Sequence, residues 1–232
     1  MSGDDEDWRV QLTGHAFDID EVEALLSTQG FAIEQQDSEW FLSGPALSVC
    51  ETSRQAQLLA INLIETSNAV LSLSRSDYRP IQVGAKILRG DSINIAVLAA
   101  TAELRTKALG VGVVTSATQQ ENPQPPRPYE RQNRWMEAAR RASEVEAVLN
   151  LFISGTDNPL WRAFERIRKD LGGDNQVRQF MDWGKTRYSR FRKTLNSPRH
   201  ELEPPSSLPH PEAESMAREL CHKWLDIKSA AQ

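Results

Sequence analysis

The sequence predicts an α+β protein, with an N-terminal, mainly antiparallel sheet covered by helices and then a small C-terminal helical bundle. Three observations carry this. Period-2 apolar alternation mixes with helical periodicity in the first half, and helical periodicity alone continues through the second. Between them lies Asn122 to Pro128, NPQPPRP, whose four prolines cannot continue a helix or central strand and favour an extended connector. A further break at 197–211 again carries prolines and turn formers. The expected division is an α+β domain over 1–122, a linker over 123–128 and a helical domain over 129–232 with a proline-rich loop at 197–211.

Trp8, Val10 and Leu12 alternate with polar neighbours and predict a half-buried first strand. Asp18 and Asp20 are expected to open a helix carrying Val22, Leu25 and Leu26, stopped by Gly30. Phe31 to Gln36 and Glu39 to Leu42 read as a hairpin turning at Asp37 and Ser38. Ser53 to Leu73 is the longest apolar-periodic stretch, with Ala56, Leu59, Ala60, Leu63, Ile64 and Val70 on one stripe of a buried helix. After Pro80, Ile81, Val83 and Ala85 alternate as a strand. A tight turn at Arg89-Gly90-Asp91-Ser92 leads to a partner strand from Ile93 to Thr101, and Glu103 to Val114 offers a third. No GxGxxG or GxxxxGK[ST] follows any strand, so neither nucleotide fingerprint is present.

In the second half, Tyr129 to Phe152 carries Trp135, Met136, Ala139, Val145, Val148 and Leu149 at helical spacing. A helix with Pro159 in its first turn holds Leu160, Trp161, Phe164 and Ile167, and stops at Gly172-Gly173. Asn175 to Leu195 reads as one helix with Val177, Met181, Gly184, Tyr188 and Phe191 inward, and Pro211 to Ser229 as the last, through Met216, Leu220 and Trp224. Helices of this length pack as a small bundle.

The chain has 232 residues and a formal charge of −5, which hides a division. Residues 1–122 hold 8 basic and 17 acidic side chains, a balance of −9; residues 123–199 come to +7 and residues 200–232 to −3. Such asymmetry points to an anionic partner or to self-attraction between halves. Between Trp183 and His200 every charged residue is basic: Lys185, Arg187, Arg190, Arg192, Lys193 and Arg199. On a single helix, Arg178, Lys185 and Arg192 recur every seven positions and share a face, which Arg187, Arg190 and Lys193 widen. Such a surface binds phosphates of RNA or DNA, docks on the acidic first half or on a partner protein, or simply faces solvent. Tyr188 and Phe191 fall on the inward stripe, so they are expected to be buried rather than stacked on bases.

The mean hydropathy is −0.51 and no apolar run approaches 18 residues, so no membrane-spanning helix is expected. Cys50 and Cys221 make no disulfide framework, and the acidic N-terminus is unlike a secretory signal, so the expected setting is the cytoplasm. No HExxH, HxxxH, CxxC or GxSxG occurs, so no metal, cofactor or acyl-transfer nucleophile is expected. Two clusters remain. Glu165 lies one turn after Trp161 on a largely apolar helix side and needs a cationic or hydrogen-bonding partner. In the Asn196-Ser197-Pro198-Arg199-His200 loop, an arginine beside an imidazole can hold a phosphate and move a proton near neutral pH, or Arg199 can pair with Glu165.

Trp161, Glu165, Asn196, Arg199, His200 and Trp224, over about 65 residues, give the helical half a resemblance to a group of bacterial proteins of unassigned activity. In that group a Trp–Glu helix precedes an Asn…Arg-His loop and a closing Trp helix. The resemblance implies a boundary and candidate residues, not a reaction. The half is also similar to HEPN helical domains, many of which are RNases of bacterial defence or toxin systems with an Arg followed four to six residues later by His. This chain departs from that signature: Arg199 and His200 are adjacent, and three residues separate Arg218 from His222. The expectation is a cytoplasmic binding protein, acting on a protein partner or on itself and, through its basic helix, on RNA. The alternative is an RNA-cleaving nuclease using Arg199 and His200, with Glu165 beside them.

Overall fold

A computed structural model describes residues 7–75, 77–90, 92–95, 129–152, 159–196 and 208–230. Five antiparallel strands form one sheet: β1 (Trp8–Thr13), β2 (Ala32–Gln36), β3 (Glu39–Ser43), β4 (Gln82–Arg89) and β5 (Ser92–Ile95), in the order β2-β3-β1-β4-β5. The helices of this half are α1 (Ala16–Ser27), the short α2 (Pro45–Ser48) and α3 (Ser53–Ser74). A helical region follows: α4 (Glu130–Arg141), α5 (Ser143–Leu149) with a 3-10 turn (Asn150–Phe152), α6 (Pro159–Leu171), α7 (Asp174–Met181), α8 (Lys185–Asn196) and α9 (His210–Ala230). The α+β class therefore holds. The chain divides into two units, residues 1–71 with 77–133, and residues 72–76 with 134–232.

In the first unit the β2–β3 hairpin turns where expected. Asp37 and Ser38 both adopt positive φ (50° and 66°), the twist that matches a two-residue hairpin. Helix α1 departs from its expected start. It begins at Ala16, capped by His15, whose Nδ1 accepts from the Phe17 N–H at 3.3 Å. Asp18 is buried instead and accepts from the Arg79 N–H at 3.2 Å, so its carboxylate holds the approach to β4. The alternation expected of β4 also fails: Ile81, Gly84 and Ile87 are buried, while Ala85 is exposed. The cause is a bulge, since Leu12 pairs with Val83 but Val10 pairs with Ile87. Gln11 fills it, accepting from the Lys86 N–H at 3.2 Å and donating to Glu39 at 2.9 Å. A Cβ on Gly84 would lie 2.4 Å from the Gln11 Oε1, so glycine is required there unless that side chain gives up both bonds.

Asn68 on α3 serves the same unit from its interior. Its amide donates to the Ile81 carbonyl (2.8 Å), while its oxygen accepts from the Ile81 N–H (3.1 Å) and the Tyr78 hydroxyl (2.5 Å). A buried amide thus supplies the pairing that a neighbouring strand would give. The expected strand at Glu103–Val114, the end of the β5 strand beyond Ile95 and the 123–128 linker lie outside the described residues.

The helical unit breaks two helices expected to be continuous. The 129–152 stretch turns at Ala142 (φ −125°, ψ 112°), which separates α4 from α5. The 175–195 stretch breaks after Met181, because Asp182 takes a left-handed conformation (φ 54°) and closes α7. The Asp182 and Trp183 N–H groups bond back to the Gln179 and Arg178 carbonyls. Gly184 follows, and α8 begins at Lys185. Trp135, Phe164, Phe191 and Trp224 are among the largest fully buried side chains, and α9 packs against α6 and α8.

Candidate functional site: a basic groove on the helical unit

Trp161 of α6, Asp174, Asn175 and Arg178 of α7, and Lys185, Tyr188, Ser189, Arg192, Lys193 and Asn196 of α8 line an open groove of about 390 Å³. The local sequence explains the convergence. Positions 185, 188, 189, 192, 193 and 196 recur at three- and four-residue intervals and so share one side of α8. The break at Asp182 lets α7 bring Arg178 to the same place. The seven-residue spacing on one continuous helix is therefore not what joins Arg178, Lys185 and Arg192; the break between two short helices is. Arg187 and Arg190 fall on the other side of α8 and do not line the groove.

Among the lining residues four cations face a single carboxylate. That carboxylate, Asp174, is the hub. Its Oδ2 accepts from Arg192 Nη1 at 2.6 Å, and its Oδ1 accepts from the Tyr188 hydroxyl at 3.0 Å and Arg168 Nη1 at 3.2 Å. Arg168 also donates to Glu165 Oε2, at 2.7 and 3.2 Å from its two nitrogens. Burial, together with the Asp174 acceptor, pushes the Tyr188 hydroxyl well above the ordinary tyrosine value. The hydrogen bond to Glu165 leads the factors that raise the Arg168 guanidinium. Two polar atoms of this network, Glu165 Oε1 and Arg192 Nε, are buried with no hydrogen-bond partner among the described residues.

Arg178, Lys185 and Lys193 are the other cations of the groove. Arg178 Nε donates to the Trp183 carbonyl at 3.4 Å, which fixes its stem at the helix break. Lys185 and Lys193 are exposed. Beneath them, the rings form the expected core: Tyr188 and Phe191 are buried, and Phe191 meets Phe164 edge-on at 5.3 Å and Trp183 at 4.9 Å. A second open space, beside Glu165, Arg166, Arg168, Lys169, Gly172 and Gly173, adds further positive charge. Arg162, Arg166 and Lys169 are all exposed on α6. Their i, i+4, i+7 spacing makes this second stripe visible in the sequence once the helix is placed.

Of the residues the sequence singled out, Glu165 is bonded through Oε2 to Arg168. Arg199 and His200 lie outside the described residues, so the structure assigns them no geometry. The Arg218–His222 pair is engaged within the helical unit: Arg218 Nη1 donates to the Ser72 carbonyl at 2.8 Å, and His222 Nε2 lies 3.1 Å from the Leu73 carbonyl. They serve carbonyls of the 72–76 segment, the ordinary use of basic side chains at a helix C-terminus. No helix among the described residues is long and apolar enough to cross a membrane, and none of their His, Cys, Asp and Glu side chains group as a metal site. No known protein family, curated protein or solved structure matches the chain.

Proposed function

We propose that the helical unit is a polyanion-binding module whose ligand is the phosphate backbone of nucleic acid, RNA first. One observation carries the reading: Arg178, Lys185, Arg192 and Lys193 line one open groove in which Asp174 is the only carboxylate among the described lining residues. Cations gathered on a concave surface focus the potential and attract a strand of phosphates more strongly than the same charges spread over a face. Two free cysteines fit a reducing compartment, so this reading puts the protein in the cytoplasm. A nuclease would use Arg199 and His200, which lie outside the described residues, so the groove supports binding rather than cleavage. An acidic protein partner would use the same cations, and the test separates it by ligand. Fluorescence anisotropy with a short labelled RNA, at 50 and 200 mM salt, should show binding that weakens about 15- to 60-fold with salt. Lys185→Glu should weaken it further. RNA that fails to bind at low salt would leave nucleic acid without a case.

A further inference from the structure

The groove contains more than charge. Trp161, half-buried, lines it beside Asn175 and Asn196, and its ring is braced by Phe164 with centroids 5.4 Å apart. A site for phosphate alone needs neither an indole nor two amides that both donate and accept. We infer that the groove takes single-stranded nucleic acid, with an unstacked base against Trp161 and its phosphates on Arg178, Lys185, Arg192 and Lys193. This rests on the polyanion reading above and narrows it. A duplex keeps its bases stacked inside and offers the indole no face, whereas a single strand presents one at every nucleotide. The volume, about 390 Å³, is near the low end for small-ligand pockets and suits a nucleotide unit rather than a duplex. The amides of Asn175 and Asn196 supply hydrogen bonds to whichever base edge is turned toward them. RNA and DNA share this chemistry, and the experiment tells them apart.

The full chain is titrated with five ligands of matched length: single-stranded RNA, single-stranded DNA, blunt duplex RNA, an abasic strand and inorganic polyphosphate. The expected result is that a base-bearing single strand binds at least about fivefold more tightly than the abasic strand and the duplex, the gain of stacking one base. The RNA and DNA arms then show which sugar is preferred. Trp161→Ala should remove that advantage while leaving polyphosphate within twofold, and Trp161→Phe should restore most of it. Equal affinity for the base-bearing and abasic strands overturns the inference and leaves the polyanion reading standing. Failure of all five to bind overturns both. The abasic comparison uses the unaltered protein, so a poorly folding Trp161→Ala does not remove the test.

Discussion

Arg192 Nη1 donates to Asp174 Oδ2 at 2.6 Å, tying α8 to the first turn of α7 at the floor of the basic groove. The same carboxylate accepts from Tyr188 and Arg168, so one side chain orders both cations and the ring between them. Both Asp174 and Arg192 remain over a third exposed, which screens their attraction. A double-mutant cycle between Asp174→Ala and Arg192→Ala, read by urea denaturation, should therefore give a coupling of about 0.5–1 kcal/mol. A coupling near zero would mean that the pair does not order the groove.

Protons set two limits on the helical unit. Burial alone would raise the Asp170 carboxyl, but hydrogen bonds from Lys228 and Trp224 and the charge of Lys228 outweigh it, and the pKa lies below the ordinary value. A lowered folded-state pKa gives stability that is present above the unfolded value and lost as pH falls through the folded one. Denaturation midpoints should fall on acidification below about pH 4, and Asp170→Asn should flatten part of that fall.

Tyr188 works in the opposite direction. Its pKa is raised by burial and by Asp174, so the fold favours the protonated phenol. The stability this contributes is whole below the unfolded value and lost as pH rises beyond about 10. Tyr188→Phe should remove part of the alkaline loss, leaving the share due to the buried Tyr78, which is raised by its own burial. An alkaline limb unchanged by Tyr188→Phe would count against the hydrogen bond to Asp174.

Asn68 makes a sharper prediction for the first unit. Asn68→Ala strips partners from the Ile81 N–H, the Ile81 carbonyl and the Tyr78 hydroxyl at once. Each buried group left unsatisfied costs about 1–3 kcal/mol, so the loss should be at least about 2 kcal/mol by chemical denaturation. A loss under about 0.5 kcal/mol would show that these groups find other partners.

The two thiols should react unequally. Burial pushes Cys221 up to about 12, while Cys50 is only partly buried and raised less. Native protein at pH 8 should label quickly at Cys50 and at Cys221 only after unfolding, read by mass spectrometry. Comparable rates in the native state would contradict the burial of α9.

Much of the fold was legible because it rests on short-range chemistry. The Asp37-Ser38 hairpin and the long α3 stripe appear as local patterns. What was hidden depends on partners distant in sequence. The bulge in β4 is filled by Gln11 reaching across to Lys86, and Asp18 leaves the cap position to bond the Arg79 N–H in the interior. For the groove, the sequence points to the four cations that line it, together with Arg187 and Arg190 that do not, and it places them on one continuous helix. Tyr188 and Phe191 carried the helical period across the Asp182 break, where a non-glycine left-handed residue gives no strong stop signal. Nothing in the sequence marks Asp174 as a hub, because its partners lie 6, 14 and 18 positions away.

Phosphate binding by the four groove cations shows itself in the salt slope of RNA binding, and that slope is the decisive measurement. Four contacts to a single strand predict that the logarithm of the association constant falls by about 2–3 per tenfold rise in salt, and that Lys185→Glu reduces this slope by about 0.7 or more. A slope near zero, or one that Lys185→Glu leaves unchanged, would contradict it.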